Sequence, residues 1–224
     1  MSTAVAAAPT APAAESSVDE TSIYVSLAYR RRVIVTAVSL ILGLVVTLFS
    51  GPLAALPFRL NVMLVTLSWS TLTLGLAIRL WGTAAIAGRK GMRVVCEGPY
   101  ALCRNPLYWG TFLIAVSMTL FLQSGAFAVS LIPPVLLYLF WVVPAEERFL
   151  KHRLGSDYTN YCERTPRWWP KWSAVSLART SPASSVGWYA ECRRQIIWLL
   201  LPALAYATCV VRNQAWWPQF FFFS

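Results

Sequence analysis

Five apolar blocks, each bounded by basic or turn-forming residues, constrain this chain more than any other feature. They run over about Val33–Ser50, Leu60–Trp81, Leu107–Leu122, Ala126–Val143 and Ile196–Val211. A helix crossing the hydrocarbon core of a bilayer needs about 20 mostly apolar residues. The first four blocks approach that length. The fifth is shorter and broken by Pro202, and its length alone leaves open whether it spans the bilayer or lies along its surface. Of the 224 residues, 57% are hydrophobic and 12% charged. Soluble domains carry about twice that charged share. The expected fold is all-α, a polytopic membrane helix bundle of four or five transmembrane helices.

The net charge of +10 would also suit a nucleic-acid binder. The positions of the cations decide against it, because they sit beside apolar blocks and not on an amphipathic soluble face. Arg30, Arg31 and Arg32 abut the first block. If alternate loops lie on alternate sides, Arg59 and Arg212 fall on one side and Arg79 inside the end of the second helix. Every other one of the nineteen Lys and Arg residues falls on the opposite side. Cationic loops stay in the cytosol. The expectation is an integral multi-pass protein of the cell inner membrane or endoplasmic reticulum with its N-terminus in the cytosol.

Residues 1–29 are rich in Ala, Pro, Ser and Thr, and lack the basic-then-apolar order of a signal peptide. They are predicted to be a disordered tail. Residues 30–170 form the expected membrane domain, and 171–224 a C-terminal extension with the fifth block. Gly51, Pro52 and Pro57 mark one turn and Gln123-Ser124-Gly125 a tight one, and Pro133 and Pro134 predict a kink in the fourth helix. Trp168, Trp169 and Trp172 suit the headgroup level.

Five cysteines are scattered without a CxxC pair, and His152 is the single histidine. That excludes a Cys/His metal site of the usual spacing and argues against a disulfide framework. There is no GxGxxG after a strand and no Walker A lysine loop.

Chemistry concentrates where the third and fourth blocks form a hairpin. Arg104-Asn105-Pro106-Leu107-Tyr108 opens the third, and Glu146-Glu147-Arg148 follows the fourth. Asn105 is a good N-cap and Pro106 suits the first helical position. The free N–H groups there attract anions, and Arg104 adds a fixed positive charge. Two carboxylates at the predicted C-terminus of the fourth helix sit at the unfavourable end for negative charge, which points to a cationic partner. An anion site beside a cation site would take a zwitterion with additional positive charge. The competing account is an ordinary capped helix and a solvated acidic turn.

The run Gly98-Pro99-Tyr100-Ala101-Leu102-Cys103-Arg104-Asn105-Pro106-Leu107-Tyr108-Trp109-Gly110 resembles the signature of the isoprenylcysteine carboxyl methyltransferases and their phospholipid methyltransferase relatives. Glu146-Glu147-Arg148-Phe149-Leu150, Leu154-Gly155, Tyr158, Tyr161 and Thr165-Pro166 follow the same pattern in order, so the resemblance covers about Leu74 to Pro170. It implies a membrane methyltransferase that uses S-adenosylmethionine, held in a cytosolic cap, and acts on a lipophilic or lipid-linked acceptor. Carried over position by position, the cofactor-binding residues are Arg93, Val94, Val95, Tyr100, Asn105, Pro106, Leu107, Tyr108 and Glu146. Arg104 and Glu147 are the candidate catalytic residues, Arg104 to orient an anion. Membrane lipids are the other expected partners. One departure is Asn105, where the isoprenylcysteine enzymes have His; Asn hydrogen-bonds but does not titrate near neutral pH. The alternatives are a non-catalytic membrane scaffold of the same fold and a sterol-reductase-like enzyme, for which the chain is short.

Overall fold

The computed structural model describes residues 13–51, 57–87, 93–179 and 185–221. Pro52, Arg89, Lys90 and the first twelve residues of the expected tail lie outside them. Among the described residues the architecture is a helix bundle, as the apolar blocks predict. The only β pairing among the described residues is an isolated bridge between Ser50 and Phe221.

Helix α1 runs from Ala13 to Leu48. Helical backbone therefore begins well before the expected boundary at residue 30. The physical reason is that no Gly or Pro follows Pro12 in this stretch, and extending an existing helix avoids the nucleation cost. Helix α2 spans Phe58–Ile86. It continues past Trp81, so Arg79 sits about two turns inside the helix and not in its last turn. Its guanidinium does not simply reach for the interface. Nη1 donates to Thr111 Oγ1 at 2.7 Å, and the group lies 5.7 Å from the Trp198 ring centroid.

A short turn of helix, α3 (Pro99–Leu102), precedes α4 (Pro106–Leu122). Gln123 then adopts a left-handed conformation at φ 46°, and Ser124 caps the next helix by accepting a hydrogen bond from Phe127 N at 3.2 Å. The fourth apolar block is segmented into α5 (Gly125–Ser130), α6 (Ile132–Leu137), a π-turn over Tyr138–Val142, and α7 (Val143–Arg164). Pro133 and Pro134 lie in the first turn of α6, where a missing N–H costs little, so the chain breaks at Leu131 just before them. Gly155 interrupts α7 with φ +58°, a conformation open to glycine.

The expected helix end at Glu146-Glu147 is not observed. α7 carries straight on, and Glu146 lies in its first turn. The unfavourable C-terminal dipole therefore cannot explain the glutamate pair.

The remaining helices are α8 (Val175–Arg179), α9 (Ser185–Trp198) and α10 (Leu200–Arg212). A turn at Leu199, three residues before Pro202, separates the last two. Among the described residues four apolar spans have the length to cross a membrane: Arg31–Leu48, Phe58–Ile86, one within Gly125–Arg164, and Gln195–Arg212. Pro106–Leu122 is apolar and somewhat shorter. Only 11–22% of each long span is buried within the chain. Val33, Ile34, Val38, Ile41 and Leu42 of α1 all face outward. Such a surface requires lipid around it, which makes this a multi-pass membrane protein.

Among the described residues the most extensive helix contact is α2 against α4. A Cβ on Gly110 would lie 2.7 Å from the Gly75 carbonyl oxygen and 2.6 Å from Arg79 Cγ. Backbones this close are typical of small-residue packing in membranes. Met118, Leu122, Phe127 and Ala205 form a buried cluster joining α4, α5 and α10. At the end of the bundle away from Glu146, the C-terminal segment clamps α1. Trp217 Nε1 donates to the Leu48 carbonyl at 2.9 Å, and its ring stacks on Phe49 at 5.4 Å.

Candidate active site

The two sequence blocks meet at the other end of the bundle. The residues following Leu102 turn into α4 through backbone bonds to the segment after α7. Arg104 N donates to Pro166 O, and Lys171 N donates to Leu102 O, both at 2.9 Å. Tyr161 OH donates to Tyr100 O at 2.8 Å, and Trp109 Nε1 donates to Trp168 O at 2.7 Å. These bonds seat the 165–171 strap across the start of α4. Trp168 packs 6.0 Å from Phe112, centroid to centroid, whereas Trp169 and Trp172 are exposed, as headgroup-level residues would be.

Consecutive residues on a helix point about 100° apart, and Glu146 and Glu147 use that difference. Glu147 is buried and faces the strap. Its carboxylate accepts from Arg167 Nη2 at 2.6 Å and from Arg167 Nε at 3.0 and 3.2 Å. Arg104 Nη1 stands 3.6 Å from the same carboxylate, and Asn105 Nδ2 donates to it at 3.4 Å. Glu146 faces α1 and α4. It pairs with Arg32 Nη1 at 3.2 Å and accepts from Tyr108 OH at 2.7 Å. Tyr108 in turn meets Tyr138 of the π-turn edge-on at 5.3 Å.

Asn105 stands at the N-cap of α4, as expected, but makes no capping hydrogen bond. Its amide donates to Glu147 and to Arg167 O at 3.3 Å. Pro106 holds the first helical position. Leu107 packs where a Cβ on Gly82 would lie, so it sits against α2 and not free in the site. Arg93, Val94 and Val95 form irregular backbone before α3; among the described residues no hydrogen bond or ion pair joins them to the two glutamates. His152 is exposed, and Tyr158 and Tyr161 are buried with centroids 5.9 Å apart, which makes them packing residues.

Two partners of the glutamates, Arg32 and Arg167, carry no mark of that pairing in the sequence. Arg32 belongs to a run that reads as a topology signal, and Arg167 follows Thr165-Pro166 directly. A carboxylate pair in a bundle needs cations from elsewhere in the chain, and that need was the available signal.

Electrostatically, three guanidiniums, Arg32, Arg104 and Arg167, face two carboxylates. Arg104 Nε is buried without a hydrogen-bond partner. Burial holds the Tyr100 phenol well above its ordinary pKa, and the neighbouring Cys103 and Glu146 raise it further against the pull of Arg79. Tyr100 is thus neutral at physiological pH. No group of three or more His, Cys, Asp or Glu side chains able to hold a metal ion occurs among the described residues.

Residues 52–157 match the sequence profile of the phospholipid methyltransferase family. Over this segment the chain is similar to that family. Both site blocks up to Glu147 lie inside it. Two curated relatives are similar over a longer stretch. The nickel-cobalt-cadmium resistance protein NccN of Alcaligenes xylosoxydans xylosoxydans is 27% identical over 72% of this chain and 75% of its own length. The cobalt-zinc-cadmium resistance protein CzcN of Cupriavidus metallidurans is 33% identical over 50% of this chain and 51% of its own length. No solved structure matches.

Proposed function

We propose that this membrane methyltransferase-family protein transfers a methyl group from S-adenosylmethionine to a lipophilic or lipid-linked acceptor, a carboxylate, amine or thiol. The observation that supports it most is the meeting of Arg104–Tyr108 with Glu146 and Glu147, two motifs about forty residues apart, at one end of the bundle. The residues suit the cofactor. Arg104, with its unpartnered buried Nε, and the N–H groups at the start of α4 favour a carboxylate. The half-exposed Glu146 carboxylate favours an ammonium or sulfonium. Tyr108 and Tyr100 supply apolar walls with polar rims.

The cofactor supplies an electrophilic methyl group whose leaving group departs neutral. The chain's own task is then alignment and exclusion of water more than proton transfer. Arg104 orients an anion, of acceptor or cofactor. Glu147, a catalytic candidate by its place in the sequence, acts by positioning Arg104, Asn105 and Arg167. The acceptor arrives laterally from the bilayer and the cofactor from the cytosol, across the strap. The family's other possibility, a scaffold without catalysis, draws on the relatives' names, which state metal resistance and no methyl transfer.

Calorimetric titration of S-adenosylmethionine into the purified protein in detergent tests the proposal. Micromolar binding that is lost in Glu146→Ala and weakened in Tyr108→Phe is the expected result. A well-folded protein that binds nothing in detergent and again in nanodiscs overturns it and leaves the scaffold.

A further inference from the structure

The most unusual charge in this molecule lies at the end of the bundle away from Glu146. Arg212, in the last turn of α10, is 5% exposed, and its Nε has no hydrogen-bond partner. The sequence offers it no carboxylate side chain there. No Asp or Glu occurs between Glu20 and Glu97, between Glu97 and Glu146, or after Glu191. The turns at this end therefore contain none. The carbonyls closing α10 favour a cation, yet they leave Nε without an acceptor. A buried charge without a counter-ion is costly.

Arg212 also lines two grooves. One, of about 1080 Å³, runs beside α10 from Leu199 to Asn213, between it and α2 and α4. At 1.5 Å per residue that length is roughly 20 Å, the scale of an acyl chain crossing one leaflet. Its walls are apolar: Val65, Phe121, Tyr206, and Trp69 set edge-on to Phe121 at 5.2 Å. Its polar end holds Arg212 beside the Gln123–Asn61 amide pair, joined at 2.8 Å. The second groove meets Arg212 from the α1 and α5 side.

We propose that this end of the bundle binds an anionic phospholipid, its headgroup phosphate on Arg212 and one acyl chain in the α2–α4–α10 groove. Charge complementarity selects the occupant. The phosphate supplies the counter-ion that the described residues do not, and the apolar walls supply the place for the tail. A lipid whose phosphate is masked by a trimethylammonium group fits less well, since the turns at this end carry no Asp or Glu side chain to receive that cation. The site is separate from the glutamate pair and does not depend on the methyltransferase reading.

Native mass spectrometry and thermal unfolding of the full chain in detergent provide the test, titrating phosphatidylglycerol, phosphatidylcholine and inorganic phosphate. Phosphatidylglycerol is expected to stay bound and to raise Tm. Arg212→Gln is expected to weaken it about tenfold, the scale of one lost charge-assisted hydrogen bond. Trp69→Ala is expected to weaken the lipid as well, and Arg212→Lys to retain most of the binding. Because Arg212→Gln could fail to fold, Trp69→Ala and Arg212→Lys carry the test in that case. Unchanged phosphatidylglycerol affinity in Arg212→Gln or in Trp69→Ala overturns the proposal. So does stabilisation by inorganic phosphate equal to that by the lipid, which would make this an anion site without a tail.

Discussion

Two adjacent glutamates with different surroundings should respond differently to substitution. Glu147 is buried with two arginines, and removing one member of such a set leaves the others uncompensated. Glu147→Ala is expected to lower stability by about 2–4 kcal/mol in detergent unfolding, a figure reduced because Arg167 is 42% exposed and partly screened by solvent. Glu146 stands at the surface, paired with Arg32. Glu146→Gln should change stability by less than about 1 kcal/mol while reducing cofactor binding. Equal losses of stability in both variants would contradict this division between a structural and a ligand-facing carboxylate. The glutamates themselves were legible in the sequence. Their separate roles were not, because Arg32 and Arg167 reach them from distant parts of the chain.

At the scale of elements, the site depends on how closely α4 approaches α2. Gly110 faces the Gly75 carbonyl with no room for a methyl group. Gly110→Ala should push the helices apart and cost about 1–3 kcal/mol, the usual range for overpacking. The displacement would also carry Arg104–Tyr108 away from Glu146, so S-adenosylmethionine binding should weaken with it. Gly125 meets nothing within 4 Å of an added Cβ, and Gly125→Ala serves as the control with near-native Tm. A Gly110→Ala protein that unfolds like wild type would show that the contact is not tight in the membrane. The segmentation of the fourth apolar block has a local cause in Pro133 and Pro134. The π-turn at Tyr138–Val142 has no comparable sequence mark, although it sets Tyr138 against Tyr108.

Across the whole molecule, five apolar passages put the glutamates and Arg212 on opposite faces only if each passage crosses. That arrangement predicts which thiols meet a membrane-impermeant maleimide. A variant keeping Cys96 alone should be labelled only from the face that bears the glutamates. Labelling belongs at alkaline pH, since partial burial and Glu97 push this thiol's pKa up. Protection of Cys96 in intact cells and labelling after permeabilisation would support a cytosolic site. Labelling from outside would invert the orientation. Cys103 is buried, and burial raises its pKa too, so a Cys103-only variant should stay unlabelled from either side.

The sequence by itself determined the membrane class, the approximate spans, the start of α4 and the two motifs of the site. Each of these follows from local composition: apolar length against bilayer thickness, Pro106 at a first helical position, and residue types in a fixed order. Tertiary structure decided the rest. It carried α2 beyond its apolar block and α7 through the glutamates, where polar residues on a helix are held by packing against its neighbours. It drew Asn105 away from capping toward Glu147, and it supplied Arg32 and Arg167 as counter-charges. It also left Arg212 buried without one among the described residues. Counter-ions are chosen by proximity in space, and no spacing along the chain records which of nineteen cations will reach a given carboxylate.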